Sequence, residues 1–197
     1  MVFGLFFGLF IQIAIADPGW DQDGDGALDG YNYYENNGSV TAKVYPDGIE
    51  GGDLGDMIAA FGPSYDCSAN VDSDPPGAWS TEFCVLDGGT EQRGIGEADE
   101  VPVFLGNGFA FLMMVYSNQT SGEIFDFQYY DVSSNSVYDI DETLEFTSNL
   151  IEGDVTDPFV LTFSVGDGGG DDCPSGIYDC AGVCDGSSEE DCAGACD

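Results

Sequence analysis

The sequence predicts an all-β protein, specifically an antiparallel β-sandwich of jelly-roll or immunoglobulin-like type with a disulfide-rich, mostly irregular C-terminal tail. Short apolar or alternating runs recur between residues 39 and 166, and clusters of Gly, Pro, Asp, Asn and Ser separate them. No amphipathic helix of normal length is present. Four segments follow from these patterns: a signal peptide (1–16), a calcium-loop segment (17–38), the sandwich (39–166) and a Gly/Asp linker with Cys-rich repeats (167–197).

The chain carries an extreme acidic charge. Its 38 acidic residues face two basic residues and no histidine, which gives a net charge of −36. Such a chain repels phosphate backbones and anionic lipids, so we expect no nucleic acid and no direct membrane partner. The acids either form a solvated surface or bind divalent cations, and the two interpretations are compatible.

The composition also argues against catalysis. The absence of histidine excludes Ser-His-Asp triads and histidine metal sites. No P-loop, nucleophile elbow or dinucleotide-binding fingerprint occurs in the sequence. A pair of carboxylates suited to glycoside hydrolysis would arise by chance among so many acids. We therefore expect a protein that is not an enzyme.

The N-terminal stretch from Val2 to Ala16 is apolar and ends in a small-x-small pattern before Asp17. It is too short for a typical membrane span and fits the apolar region of a secretion signal. We predict a cleaved signal peptide, with a retained anchor as the alternative. The protein is therefore expected to be secreted or located at the cell surface.

The next stretch has the spacing of a calcium-binding loop. Carboxylates stand at loop positions 1, 3 and 5, and Gly26 at position 6 permits the sharp turn that directs oxygens inward. Leu28 is expected to hold the loop against the core. The predicted ligands of Ca²⁺ are Asp21, Asp23, Asp25, Ala27 through its carbonyl, Asp29 and Asn32.

This loop resembles the EF-hand loop, and more closely the loop-then-helix half of dockerins. Two features depart from the family pattern. Pro18 and Gly19 leave no room for an entering helix, and Asn32 stands where the family has a bidentate acid. We therefore expect weak calcium binding, and a flexible acidic linker is the alternative.

Several alternating or apolar runs predict the strands of the sandwich. Gly108 to Tyr116 is apolar on both faces, which predicts a strand covered on both sides. Glu123 to Tyr130 alternates, and the polar turn from Ser117 to Gly122 joins the two runs into a predicted central β-hairpin. Further strands are predicted at Val40 to Val44, Asp56 to Phe61, Val137 to Ile140, Leu144 to Phe146 and Phe159 to Val165.

A long loop is predicted from Gly62 to Thr90, carrying one short strand at Thr81 to Leu86. Cys67 and Cys84 are expected to close this loop with a disulfide. Trp79 is a large aromatic side chain suited to stacking on a sugar ring, and Asp72 and Asp74 would accept hydrogen bonds from its hydroxyls. The alternative is a tryptophan that folds back over the edge of a sheet.

A set of short motifs is spread over the region from Ser39 to Val165: Asp56 to Phe61, Arg93-Gly94, Phe111 to Asn118, Ser121 to Glu123, Tyr130-Asp131 and Pro158-Phe159. With these motifs the region resembles a β module that is repeated in large secreted proteins of marine bacteria. The resemblance brings no activity or functional residues with it. In that module the first strand runs almost directly to the Arg-Gly pair, whereas here residues 62–90 are inserted.

The C-terminal tail contains five of the seven cysteines: Cys173, Cys180, Cys184, Cys192 and Cys196. Its repeated Asp-Cys-x-Gly-x-Cys pattern resembles repeats in secreted marine surface proteins. We predict disulfides here, with zinc binding as the alternative. The sequence ends within a repeat, so we expect it to be part of a longer chain.

Together these features predict a secreted, calcium-binding structural or adhesive module of a larger surface protein. The alternative function is a carbohydrate-binding module that uses the Trp79 loop. The expected partners are calcium and either an extracellular glycan or another surface protein.

Overall fold

The computed structural model describes residues 18–70, 79–80 and 82–165. Two 3-10 helices, Tyr31–Tyr33 and Val103–Leu105, are the helices of this part of the chain, and neither has the length to cross a membrane. The predicted signal peptide and the tail cysteines lie outside the described residues. The strands are β1 (Asn36–Pro46), β2 (Met57–Asp66), β3 (Val85–Glu100), β4 (Phe109–Ser117), β5 (Ser121–Asp131), β6 (Ser136–Thr147), β7 (Ile151–Glu152) and β8 (Phe159–Phe163).

These eight strands form one curled sheet with the order β6-β5-β2-β3-β4-β1-β7, and β8 also pairs with β1. The pairs along β6-β5-β2-β3-β4-β1 are antiparallel, whereas β7 and β8 run parallel to β1. The predicted all-β class is confirmed. The division into two sheets that defines a sandwich is not confirmed, and the sheet is mixed rather than purely antiparallel.

Curling brings β6 beside β8, and a side chain bridges the two strands. The carboxylate of Glu142 in β6 accepts hydrogen bonds from the backbone N–H and the hydroxyl of Thr162 in β8, both at 2.6 Å. Glu142 thus satisfies a donor of β8 on the side that faces away from β1.

The inward faces of the strands share one hydrophobic core. The rings of Phe125 and Phe146 lie 5.4 Å apart, and those of Phe127 and Phe159 lie 5.9 Å apart. Burial of this many large apolar side chains supplies the main favourable free energy of folding. Sequence alternation predicted this inward set correctly at Phe111, Met113, Phe125, Phe127, Phe159 and Leu161.

The predicted central hairpin is wrong. β4 pairs with β1 and β3, whereas β5 pairs with β2 and β6. Both edges of β4 are therefore occupied, and residues 118–120 carry the chain across the core instead of into a tight turn. The two strands meet through their inward side chains, as shown by the edge-to-face contact of Phe111 with Tyr129 at 6.1 Å.

The prediction that β4 is covered on both sides is also wrong. Its inward residues Phe111, Met113 and Val115 are buried, but Leu112 is 52% and Met114 44% exposed on the outer face. On the same face Ala110 is buried and Tyr116 contacts Tyr31 and Tyr34, so the exposed part lies at the middle of the strand. An apolar run on both faces therefore does not require two covering layers.

The predicted long loop is shorter than expected. β2 continues to Asp66 and β3 begins at Val85, and the two strands pair as an antiparallel hairpin with register shifts. Cys67 and Cys84 form the expected disulfide directly at the end of this hairpin. Both ends of the inserted region thus extend the sheet, and a disulfide joins them.

Candidate functional site

The segment before β1 is packed against the outer face of the sheet. The indole of Trp20 contacts Phe61 and Tyr130 edge to face, with ring centroids 6.0 and 6.4 Å apart. The side chain of Gln92 donates a hydrogen bond to the carbonyl of Trp20 at 2.9 Å. Trp20 joins Met57, Ala59, Ile95 and Tyr130 in a second, smaller apolar cluster.

Leu28 is buried as well, at 5% exposure, in agreement with the role expected for loop position 8. A 3-10 helix of three residues follows the loop, in place of the longer helix of the dockerin pattern. The loop is therefore held between two buried apolar side chains, Trp20 before it and Leu28 within it.

The backbone of the loop turns around the carboxylate of Asp21. Its Oδ1 accepts the N–H of Gly24 at 2.7 Å, and its Oδ2 accepts the N–H of Gly26 at 2.8 Å. Gly24 and Gly26 have φ values of 75° and 76°, a left-handed conformation that glycine adopts without strain. The glycines of the motif are thus required by the turn itself.

Three carboxylates converge in this loop. Oxygens of Asp21, Asp23 and Asp25 lie within 4.8 Å of one another. Asp21 is buried, whereas Asp23 and Asp25 are exposed to solvent. Oxygens at this spacing are compatible with a shared hard cation, whose ligands lie about 2.3–2.6 Å from the ion.

The pKa values of Asp21 and Asp23 are shifted in opposite directions. Burial alone would raise the pKa of Asp21, but the N–H groups of Gly26, Gly24 and Asp25 outweigh it and lower that pKa below its usual value. Desolvation and the adjacent charge of Asp25 raise the pKa of Asp23. A divalent cation placed between these groups would relieve the repulsion that acts on Asp23.

The remaining predicted ligands lie around this cluster. Asp29 accepts the N–H of Gln22 at 3.0 Å and so closes the loop, and it is not among the converging carboxylates. The N–H of Ala27 bonds to Asp25 at 2.9 Å. Asn32 is exposed within the 3-10 helix.

Sequence reasoning missed one acidic neighbour of the loop. Glu97 of β3 lies beside Gly26, where a Cβ added to the glycine would be 4.0 Å from the Glu97 carboxylate. The two residues are far apart in the chain, so only the packing of Trp20 on the sheet brings them together. Glu97 adds negative charge next to the loop.

The Trp79 loop is only partly described. Trp79 is partly buried, and its ring packs edge to face on Tyr65 of β2 with centroids 4.9 Å apart. This contact is the one expected for a tryptophan folded back over a sheet edge. Asp72 and Asp74 lie outside the described residues, so their alignment with Trp79 stays a prediction.

No protein-family model, no curated protein and no solved structure matches this chain. Function is therefore inferred from the side chains themselves and from their geometry.

Proposed function

We propose that this protein is a secreted, calcium-binding structural or adhesive module of a larger surface or extracellular protein. The observation that carries the proposal is the convergence of the Asp21, Asp23 and Asp25 carboxylates in a turn built on two left-handed glycines. The sequence pattern of a secretion signal before the loop supports the extracellular setting.

The chemistry of the donors favours Ca²⁺ over softer metals. The converging ligands are all carboxylate oxygens, which suit a hard cation, whereas zinc and copper prefer nitrogen and sulfur. Asn32 in place of a bidentate acid leaves the site one strong ligand short. We expect a Kd of about 0.1–1 mM, the range of extracellular calcium modules.

The expected role of bound calcium is to stabilise the fold. Trp20 and Leu28 connect the loop to the sheet, so an ion that binds only the folded loop stabilises the whole packed unit. With calcium at about 10 mM and a Kd of about 1 mM, the added stability is about 1.4 kcal/mol. The partner of such a module would be an extracellular glycan or another surface protein.

Titration calorimetry with CaCl₂ tests this proposal. The wild-type protein should bind one ion, and an Asp23→Asn/Asp25→Asn variant should show at least about tenfold weaker binding because two of three carboxylates are lost. The matched control is Asp154→Asn/Asp157→Asn, which removes the same charge from an exposed turn elsewhere.

The control should bind calcium as the wild type does. Identical titrations of the wild type and the loop variant would show that the loop is not the site. Secretion is tested separately, because the protein recovered from the medium should begin at Asp17.

A further inference from the structure

The end of the sheet where β1, β3 and β5 finish and β2, β4 and β6 begin contains a cavity of about 200 Å³. Its walls combine acidic and aromatic side chains from four different parts of the chain. They include Asp53, Asp56, Asp131, Tyr129, Tyr138 and Phe163. The mouths of curled and closed sheets are common ligand sites.

Asp56 is buried at this cavity, with 1% of its surface exposed. Its carboxylate accepts hydrogen bonds from the N–H of Asp53 at 2.7 Å, the N–H of Val132 at 3.0 Å and the hydroxyl of Tyr129. Burial and the Asp56 carboxylate raise the pKa of Tyr129, which therefore remains a donor; Asp131 and Asp53 act in the same direction. Three carboxylates thus influence one hydroxyl at this cavity.

No cationic side chain balances this charge. Lys43 and Arg93 are the two basic side chains of the sequence. Lys43 donates to Glu50 at 2.6 Å and to the carbonyl of Asn107 at 3.0 Å, and Arg93 pairs with Glu91 and Glu123. Hydrogen bonds satisfy the Asp56 carboxylate, but no basic side chain offsets the negative charge of Asp53, Asp56 and Asp131, so the cavity favours a cationic occupant.

The spacing of the acids argues against a metal ion in this cavity. Among the described residues, Asp21, Asp23 and Asp25 form the group of three acids whose oxygens approach within 4.8 Å, and the cavity acids form no such group. Their oxygens are also engaged: Asp131 accepts the N–H groups of Ser133 and Ser134 and the hydroxyl of Ser134. A metal would have to displace these bonds, whereas a larger, weakly hydrated cation would not.

The aromatic side chains supply the matching apolar wall. The ring of Phe163 lies 5.0 Å from that of Tyr129 and 5.1 Å from that of Tyr138, with interplanar angles of 33° and 26°. Because these rings stack on one another and belong to the core, they give the cavity an apolar wall that accommodates alkyl groups, while the acids supply the attraction for a positive charge. We propose that this cavity binds a small organic ammonium ion.

The proposal is tested with choline and its neutral isostere, 3,3-dimethylbutan-1-ol, in an NMR titration of ¹⁵N-labelled protein. The amides of Asp53 and Val132 should shift with choline and reach half-saturation at about 1–10 mM. The neutral alcohol should bind at least about tenfold more weakly, because it has the same shape without the charge.

Asp131→Asn should weaken choline binding by about threefold to tenfold, since one of the three carboxylates loses its charge. Asp154→Asn is the matched control, because Asp154 also accepts hydrogen bonds from its own turn, at residues Thr156 and Asp157, and lies outside the cavity. Asp53→Asn, at an exposed position, replaces Asp131→Asn if that variant does not fold.

Equal shifts with choline and the alcohol would overturn the proposal, as would the absence of any shift at Asp53 and Val132. An equal loss of choline affinity in Asp131→Asn and Asp154→Asn would also overturn it, because the effect would then come from the net charge of the protein and not from the cavity. The titration is repeated in the Asp23→Asn/Asp25→Asn variant, where choline should bind unchanged. Displacement of choline by calcium in that variant would make the cavity a metal site and also overturn the proposal.

Discussion

Arg93 shows how much depends on one residue in a chain with two basic side chains. Its side chain is buried at 1% exposure, and the guanidinium lies 5.0 Å from the ring centroid of Tyr34. It donates to the carbonyl of Pro63 and to Glu91 at 3.1 Å, and it lies 3.6 Å from the carboxylate of Glu123. The residue therefore connects the segment before β1 with β2, β3 and β5.

Glu123 is the buried partner of this cation. It is 4% exposed and accepts a hydrogen bond from the hydroxyl of Ser117, which itself accepts the N–H of Gln119 at 2.8 Å. Ser117 ends β4 and Glu123 lies in β5, so this hydrogen bond and the ion pair hold the two ends of the crossing at residues 118–120. Nε of Arg93 and Oε1 of Glu123 lack a hydrogen-bond partner among the described residues, so charge is the main attraction between these two groups.

Arg93→Met should lower the free energy of unfolding by about 3–5 kcal/mol, because it leaves the Glu123 carboxylate buried without a cation. Adding Glu123→Gln should recover part of this loss, with a coupling energy of about 1–3 kcal/mol. Urea denaturation of the two single variants and the double variant measures the cycle. Strictly additive losses would show that the two side chains do not interact.

At the scale of the elements, the sequence predicts which face of a strand is buried better than it predicts which strands are neighbours in the sheet. Alternation identified the inward residues of β4, β5 and β8, because burial follows the two-residue period of a strand. It did not identify which strands pair. The turn after Ser117 has the polar composition of a hairpin, and composition alone does not distinguish a hairpin from a crossing between strands.

The same limit applies to the candidate sites. The convergence of the Asp21, Asp23 and Asp25 carboxylates could be predicted because the three residues are local in sequence and the turn needs glycine at fixed positions. Glu97 beside the loop and the acids of the cavity come from separate strands and loops. Their proximity results from the curl of the sheet, and no local sequence pattern predicts that curl.

Phe127→Ala should cost about 3–5 kcal/mol of stability, because Phe127 is 1% exposed and its removal leaves a cavity in the core. Ile124→Ala on the outer face of the same strand is the control, since Ile124 is 47% exposed. Its cost should stay below about 1 kcal/mol. Thermal or urea unfolding of both variants provides the measurement, and similar losses would contradict the assignment of the two faces of β5.

At the scale of the whole molecule, the net charge of −36 opposes the compact state. Carboxylates that accept hydrogen bonds in turns stabilise the folded state instead. Hydrogen bonds from Thr156 lower the pKa of Asp154, and those from Ser64 and Gly89 lower that of Asp87. A lowered pKa in the folded state contributes stability above the ordinary pKa, and this contribution is lost as the pH falls through the lowered value.

Stability should therefore pass through a maximum as the pH falls from neutral, above the range in which the carboxyl groups with lowered pKa become protonated. Acidification from neutral pH first protonates groups with raised pKa, such as Asp23, and relieves repulsion. Below the maximum, Asp21, Asp87 and Asp154 become protonated and their hydrogen bonds weaken. Melting temperatures measured from pH 3 to 8 test this, and a steady decline on acidification would contradict it.

Salt should raise the melting temperature at neutral pH, because it screens the repulsion among the acids. Under the proposed function, calcium should raise it further than NaCl of equal ionic strength, since the proposed loop site would bind the ion only in the folded state. The Asp23→Asn/Asp25→Asn variant should lose most of this difference and keep the response to NaCl. Equal effects of the two salts on the wild type would indicate that the acidic residues solvate the surface and do not bind calcium specifically.

The parallel pairing of β1 with β8 has a consequence for the mechanical strength of the fold. The chain enters β1 at Asn36 and leaves β8 at Phe163, and the two strands pair from Ala42–Phe159 to Pro46–Phe163. A pull on both ends slides these neighbours in opposite directions, so the hydrogen bonds between them bear the load together. Force applied at Ser121 and Thr147, which pair at the open end of β5 and β6, would instead separate one pair at a time. Single-molecule stretching should therefore give a higher rupture force when the protein is pulled from the chain ends than when it is pulled from Ser121 and Thr147.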